Sequence, residues 1–540
     1  MKKRILALFL AAVIFLFAVG CGKGSSSNTG SVLADIVSGD VEYFSDGDFK
    51  DVSGETPNAT ITLSGSEGTI SDTTRGSSGE TVTITAKGIY RITGSSENVT
   101  ITVNDSKESG NIYLVLDNVT MKNSSAPCIV VEAADKVIVQ CVGDNSLTYT
   151  STSSELDGAI YSSDDITLNG SGSLVINSAL HGIVGKDDVK ITGAAISLNT
   201  SSIGIKANDS VRIGGGELNI VSSHDGIQVD SDEGTGYFYM SDGTVNITSG
   251  YDGIDVKTDA ETNSEYVLLV GGSVNITAGG GSANSQSSTS QKGIKCSGDI
   301  KTGNAEITVS SADDALHSGN DILITDGVLN LASSDDGIHA DSTLTISGGK
   351  VNVTKSYEGL EGMVINLSGG DVNVYASDDG VNAAGGSDTT STEAWPSKWG
   401  GASSSSGTLN ISGGNIYVNS KGDGLDSNGS IYVSGGYVIV EGPTDNGNGA
   451  LDIGDSTNCV AEITGGTVLA IGSSGMAVNF NSGSQCSALV SLSGSAGDTI
   501  TVNDGSGFSF TATKAFSSVV YSSSSLTSGN SYTITAGSAS

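Results

Sequence analysis

SSDDGIHADSTLTISGGKVNV, residues 333–353, contains one complete unit of the architecture. Ile338, then Leu344 with Ile346, then Val351 with Val353 form three short apolar groups. Within them apolar and polar residues alternate, the period-2 pattern of half-buried strands. Asp336-Gly337 and Ser347-Gly348-Gly349 stand between the groups and supply turn chemistry. The unit before it reads SSADDALHSGNDILITDGVLNL (310–331), and the unit after it SYEGLEGMVINLSGGDVNV (356–374).

Working outward, the marker glycine or its equivalent falls at 158, 182, 204, 226, 253, 293, 315, 337, 359, 380, 424 and 449, mostly 21 to 24 residues apart. A sustained period near 22 predicts a solenoid, in which each unit buries its apolar side only by stacking on its neighbours. Three strands per unit with polar corners predict an all-β chain folded as a right-handed parallel β-helix. No segment carries a helical 3.6 period. The leucine-rich and nine-residue glycine–aspartate repeats are absent. The long intervals, 253 to 293 and 380 to 424, read as one extra coil or one inserted loop each. Asn flanked by aliphatics at 245–247, 274–276, 351–353 and 372–374 predicts an outward, structural Asn ladder.

Solenoid ends need covers, because a bare coil exposes core and strand edges. Residues 32–130, with runs such as Thr81–Thr85 and Ile112–Leu116, read as an N-terminal cap and first irregular coils. Residues 484–540, with Phe508, Phe510, Phe516 and Tyr521, read as a C-terminal β cap, which leaves 32–483 as the β-helix with its N-terminal cap.

The N-terminus has Lys2, Lys3 and Arg4 ahead of an apolar run from Ile5 to Val19. That is the n-region and h-region of a secretory signal, and it is short for a membrane span of about 20 residues. Ala18-Val19-Gly20-Cys21 resembles a bacterial lipobox, with Ala18 where Leu is usual. Residues 1–21 are therefore expected to be a lipoprotein signal with lipidation at Cys21, and Gly/Ser-rich 22–31 a tether. The expected location is exported, extracytoplasmic and lipid-anchored, as a monomer. Five cysteines remain: Cys128 and Cys141, Cys459 and Cys486 as possible bridges or buried thiols, and Cys296. No spacing suits zinc fingers.

The net charge is -36, from 60 acidic and 24 basic residues. Such a surface repels nucleic acid and anionic lipid and suits divalent cations, neutral sugars, or acidic polymers bridged by a cation. Asp225, Asp252, Asp314, Asp336, Glu358, Asp379 and Asp423 stand just before the marker position. Asp255, Glu361 and Asp426 stand two residues after it, with Asp230, Asp341 and Asp378 nearby. Carboxylates stacked about 5 Å apart repel by about 1 kcal/mol in water and about 3 kcal/mol at a surface-like dielectric. The ladder therefore needs protons or cations. Clustered hard oxygens fit Ca²⁺, with Asp225, Asp252, Asp255, Asp336, Glu358, Glu361, Asp378, Asp379, Asp423 and Asp426 as expected ligands. The alternative is that Asp-Gly simply makes good turns and the side chains splay into solvent.

The chain resembles a family of secreted clostridial parallel β-helix proteins that bind cellulose and acidic sugars, the carbohydrate-binding domain-containing proteins. Gly88-Ile89-Tyr90, the repeated Asp-Asp-Gly-Ile and Ile-Ser-Gly-Gly units, and the run from Asp423 to Ile431 carry the resemblance. Gly442-Pro443-Thr444 and Ile463 to Val468 extend it over nearly everything after the tether. The resemblance implies polysaccharide binding without catalysis, calcium between coils, and kinship with calcium-dependent polysaccharide lyases. Those enzymes suggest an alternative. Lys292 or Lys295, one unit after Asp252 and Asp255, would take the proton α to a uronate carboxylate beside Ca²⁺. Tyr251 replaces the first Asp of those enzymes' Asp-Asp-Gly-x-Asp-like calcium site, and the preferred reading of both lysines is as counter-charges for the ladder. A passive spacer or adhesin, its acids binding ions for rigidity, is a further alternative.

Trp395 and Trp399, the only tryptophans, lie in an insertion at 386–406. They read as a platform for sugar rings, or as cover for an apolar seam. His317 and His339 share a column, which suggests stacked, singly bonded surface imidazoles or a small metal site. No Ser/His/Asp arrangement, phosphate loop or dinucleotide fingerprint has its required context.

Overall fold

The computed structural model describes residues 42–105, 110–231, 235–258, 264–384 and 407–537. Alternating sequence becomes three parallel ladders that wind into a β-solenoid of about 13 turns. In the unit that opened the sequence, Ile338, Leu344, Ile346, Val351 and Val353 all point inward and are fully buried. The first ladder includes Ile227–Ser231, Ile254–Thr258, Ile294–Cys296 and Leu316–Ser318, then continues through Ile338 and Leu360 to Val381–Ala383 and Leu425–Ser427. The second carries Tyr266–Leu269, Asp299–Thr302 and Ile322–Ile324. The third carries Ser273–Ala278, Glu306–Ser311 and Val328–Ala332. The predicted all-β parallel solenoid is therefore the fold.

Register resolves both long intervals. Val256 pairs with Cys296, and Val381 with Leu425, so across each interval the first-ladder strands remain direct neighbours and no extra coil stands between them. The marker glycine is set by close approach rather than by turn conformation. A Cβ at Gly337 would lie 2.5 Å from Val353 Cγ1 and 2.6 Å from the carbonyl oxygen of Gly359 in the next coil. The Ser-Gly-Gly corners need glycine for both reasons. A Cβ on Gly348 would meet Thr325 O at 2.1 Å, and Gly349 has φ +75°. The Asn ladder forms as expected: Asn246 Nδ2 donates to Asn219 Oδ1 at 2.9 Å, and Asn352 Nδ2 to Asn330 Oδ1 at 2.9 Å.

Two of the three outer faces carry extra chain. Residues 42–52 run along the outside of the second ladder as a strap that includes a short helix, α1 (Asp46–Phe49). Asp48 is fully buried there, bound by Lys136 Nζ at 3.0 Å and Thr167 Oγ1 at 2.7 Å. Further along, Tyr43 stacks on Tyr239 with centroids 3.6 Å apart, and Arg212 holds the Tyr43 carbonyl. At the N-terminal end, antiparallel pairs 59–65 with 67–70 and 76–77 with 81–84 close the first coils. At the other end Ser518–Ser522 pairs antiparallel with the last third-ladder strand. Phe508, Phe516 and Tyr521 then fold over the outer side of Ile439, Leu469 and Ile471. The cysteines among the described residues are free: Cys128, Cys141 and Cys296 are buried thiols, and Cys459 and Cys486 are partly exposed.

Candidate functional site

The corner that leads into the first ladder gathers the acids. There the structure removes the alternative in which the Asp-Gly side chains splay into solvent. Asp225, Asp252, Asp255, Asp314 and Asp336 are buried. The cause is a capping relationship that stacking creates. Asp225, Asp252 and Asp314 each accept the backbone N–H of the equivalent residue one coil along: Asp252 N to Asp225 Oδ1 at 3.1 Å, Lys292 N to Asp252 Oδ1 at 2.7 Å, and Asp336 N to Asp314 Oδ1 at 2.9 Å. Asp423 N to Asp379 Oδ1 at 2.6 Å and Gly449 N to Asp423 Oδ1 at 2.5 Å continue the series. The position three residues later lies beside its own coil's acid. Gln228 Nε2 donates to Asp225 Oδ2 at 2.7 Å, and His317 and His339 pair with Asp314 and Asp336 at 2.9 and 3.1 Å.

Along this corner the charge falls into three zones. In the first, Asp225, Asp252 and Asp255 cluster with Lys257 Nζ 3.3 Å from Asp255, and Lys295 Nζ 3.6 and 3.7 Å from Asp252 and Asp255. Asp255 Oδ1 is buried and makes no hydrogen bond. Burial, reinforced by Asp252 and Asp255, pushes the Asp225 carboxyl up to about 7, and burial with Asp255 raises Asp252 too.

The middle zone is compensated. Lys292 Nζ is buried between Asp313 and Asp314 at 2.9 and 2.5 Å. Burial opposes ionisation of Asp314, but the His317 hydrogen bond and the charge of Lys292 hold it well below the carboxylate range. His317 and His339 stack with centroids 4.8 Å apart at 20°. The surface, singly bonded reading fails for His339, which is 1% exposed. Its Nδ1 lies 2.7 Å from Glu361 and 3.1 Å from Asp336, and its Nε2 3.1 Å from Asp341. Buried carboxylates on both edges explain this: an imidazole there is held as a cation, although burial alone would disfavour it.

The third zone is anionic again. Burial and Glu361 push Glu358 up to about 8. Burial and neighbouring acids bring Asp379 to about 6 and Asp423 and Asp426 to about 7, Asp452 being a shared neighbour of all three. Asn382 Nδ2 donates to Glu358 Oε2 at 2.6 Å, and Asp378 hydrogen-bonds Tyr357.

The structure thus brings Asp225, Asp252 and Asp255 together, joins Asp336 and Glu361 to His339, and collects Glu358, Asp378, Asp379, Asp423 and Asp426. Among the described residues, four groups have ligand atoms within 4.8 Å of one another. They are Asp314/His317/His339, Asp336/His339/Glu361, Asp313/Asp314/Asp335 and Asp165/Asp187/Asp188. The sequence reading missed Asp313, Asp452 and the whole Asp165 group. The last sits at the next corner, where Lys190 and Arg212 reach Asp188 at 3.2 and 2.6 Å. Its signal was present, since Asp164-Asp165, Asp187-Asp188 and Asp209 repeat ahead of successive second-ladder strands. Trp395, Trp399 and Cys21 lie outside the described residues.

Residues 78–337 match a family described as carbohydrate-binding domain-containing protein. A protein of that description from Acetivibrio thermocellus is 33% identical over 127 residues, covering 22% of this chain and 44% of the relative. The match therefore spans less than half of that relative's length. A solved structure, a polysaccharide lyase-like protein from C. thermocellum in a gadolinium derivative, aligns with 28% identity over 51% of this chain and 97% of the other, with a TM-score of 0.37. The resemblance drawn from the sequence is thus shown for residues 78–337, just under half of the chain, which match the carbohydrate-binding domain-containing family, and the chain is homologous to the Acetivibrio thermocellus protein.

Proposed function

We propose that the chain binds polysaccharide of plant cell-wall type, cellulose or acidic pectic sugars, without cleaving it, and that Ca²⁺ at the first-ladder corner takes part. The observation that carries the calcium reading is Asp255 Oδ1, buried without a hydrogen bond beside Asp225 and Asp252. An orphaned buried acceptor costs about 1–3 kcal/mol, more when charged. The neighbouring carboxylates of Asp225 and Asp252 are hard oxygens, the kind that suits Ca²⁺, although Lys257 and Lys295 also reach this cluster and would have to turn away from a bound ion. The anionic zone of Glu358, Asp378, Asp379, Asp423 and Asp426 is the second candidate. Bound there, the ion would supply positive charge against which uronate carboxylates can dock. Asp225 and Asp252 would orient the site while also capping backbone N–H groups of the next coil. Trp395 and Trp399 would add a stacking surface, and lipidated Cys21 would hold the protein outside the membrane.

Retention on polygalacturonate and on cellulose, with Ca²⁺ or EDTA, tests this reading. Ca²⁺-dependent retention on polygalacturonate, lost in Asp252→Asn/Asp255→Asn, is the expected result. Retention by neither polymer would reject the binding role, and retention indifferent to Ca²⁺ would reject the ion. Trp395→Ala/Trp399→Ala should weaken retention without changing its Ca²⁺ dependence.

One observation favours a second reading, a lyase. Lys295 is partly exposed, with its Nζ 3.6 Å from Asp252 and 3.7 Å from Asp255. A base beside a calcium-type site is what proton abstraction α to a uronate carboxylate requires. Lys292, engaged by Asp313 and Asp314, is the less suitable of the two. Ca²⁺-dependent absorbance from unsaturated uronate, abolished by Lys295→Ala, would establish this activity in place of simple binding.

A further inference from the structure

His339 carries a pattern that the calcium reading leaves unexplained. Its Nε2 faces the Asp341 carboxylate at 3.1 Å, while its Nδ1 points at two other carboxylate oxygens, Glu361 Oε2 at 2.7 Å and Asp336 Oδ2 at 3.1 Å. Asp336 Oδ2 and Glu361 Oε2 thus converge on one imidazole nitrogen. The three ligand atoms lie within 4.8 Å of one another.

We propose that Asp336, His339 and Glu361 form a site for a borderline divalent transition-metal ion of the Zn²⁺ class, distinct from the all-oxygen calcium sites. One imidazole nitrogen and two carboxylate oxygens make a three-ligand set of the kind zinc uses with a fourth position left for water. Ligand atoms of a tetrahedral zinc ion at about 2.0–2.1 Å stand about 3.3 Å apart. The contacts of 2.7 and 3.1 Å therefore need to open by about 0.6 and 0.2 Å. Asp341 supplies the independent support. A carboxylate that accepts the far N–H of a metal-bound imidazole fixes its tautomer and leaves the near nitrogen's lone pair for the metal. Binding would displace any proton from Nδ1 and leave one cation shared by the imidazole and the two carboxylates. His317 stays outside the coordination plane: its ring is stacked nearly parallel to that of His339, 4.8 Å away. An ion in the plane of one ring lies off the plane of the other.

The test uses the whole chain, stripped of metal and titrated with Zn²⁺ by calorimetry and with Co²⁺ by visible absorption, in excess Ca²⁺ throughout. The expected result is one ion per chain with a Co²⁺ spectrum of four-coordinate type carrying a nitrogen ligand. Asp341→Asn should weaken Zn²⁺ binding by about 10–100-fold, the usual effect of losing such a partner. Glu361→Gln should abolish it with the β-sheet circular dichroism intact. No stoichiometric Zn²⁺ binding by the unaltered chain, displacement by Ca²⁺, or binding unchanged in both variants would overturn the proposal. Because Asp252 and Asp255 stand on an earlier coil, Ca²⁺-dependent polymer retention can survive any of those results.

Discussion

Asp314 Oδ1 accepts the backbone N–H of Asp336, one coil along, at 2.9 Å, while Asp314 Oδ2 faces Lys292 Nζ at 2.5 Å and His317 Nδ1 at 2.9 Å. A single fully buried carboxylate therefore closes a backbone gap and anchors two side chains. Asp314→Ala leaves the N–H of Asp336 without its acceptor and takes a partner from buried Lys292. Removing one member of a buried ion pair costs about 3–5 kcal/mol. Asp314→Asn can still accept a hydrogen bond and should cost less. Urea unfolding of both variants checks the order.

Gly337 is required by space. A methyl group there would lie 2.5 Å from Val353 Cγ1 and 2.6 Å from Gly359 O. Gly337→Ala should destabilise by about 1–3 kcal/mol, the usual range for overpacking. Ala315 occupies the same position one coil earlier and is buried, so Ala315→Gly should shift the melting temperature far less than Gly337→Ala.

Asp48 ties the strap to the second ladder. Burial works against its charge, but Thr167, the Ser45 backbone and Lys136 outweigh burial and lower its pKa from 3.8 to about 2. A depressed folded-state pKa contributes stability that is complete above the unfolded value and lost as pH falls through the folded value. Here that contribution is about 2 kcal/mol, from the difference between 3.8 and about 2. It should fade between pH 4 and pH 2. Asp48→Asn should remove that part of the pH dependence. Proteolysis of residues 42–52, followed from pH 5 downward, should report release of the strap.

Asp252 and Asp255 repel each other in a buried setting. In EDTA, Asp255→Asn should therefore raise the melting temperature. Ca²⁺ should raise that of the unaltered chain by several degrees and leave the variant unmoved. Thermal unfolding with both proteins in both conditions checks the pair of signs, and a destabilised variant in EDTA would show that the carboxylate is structural.

Much of this was legible in residues 333–353. Alternation fixes which side chains face inward, because a strand has a period of two and only one face meets the core. Ile338, Leu344, Ile346, Val351 and Val353 could accordingly be assigned one by one. The acids could be placed in columns but not in depth. Whether Asp336 lies in water or inside the corner depends on the N–H it leaves to Asp314 and on His339 beside it, and both are products of stacking. Lys292 is similar: its alternatives, base or counter-charge, are chemically alike until Asp313 and Asp314 are seen around its ammonium.

The sequence by itself determined the repeat, the three strands per coil, the inward residues and the columns in which charge would stack, because these follow from periodicity along one chain. Only the tertiary structure decided which carboxylates are capped, which are paired, and which, like Asp255 Oδ1, are left buried without a hydrogen bond. Such outcomes depend on distances of a few ångströms between coils some 22 residues apart, where register, burial and neighbouring charge act together.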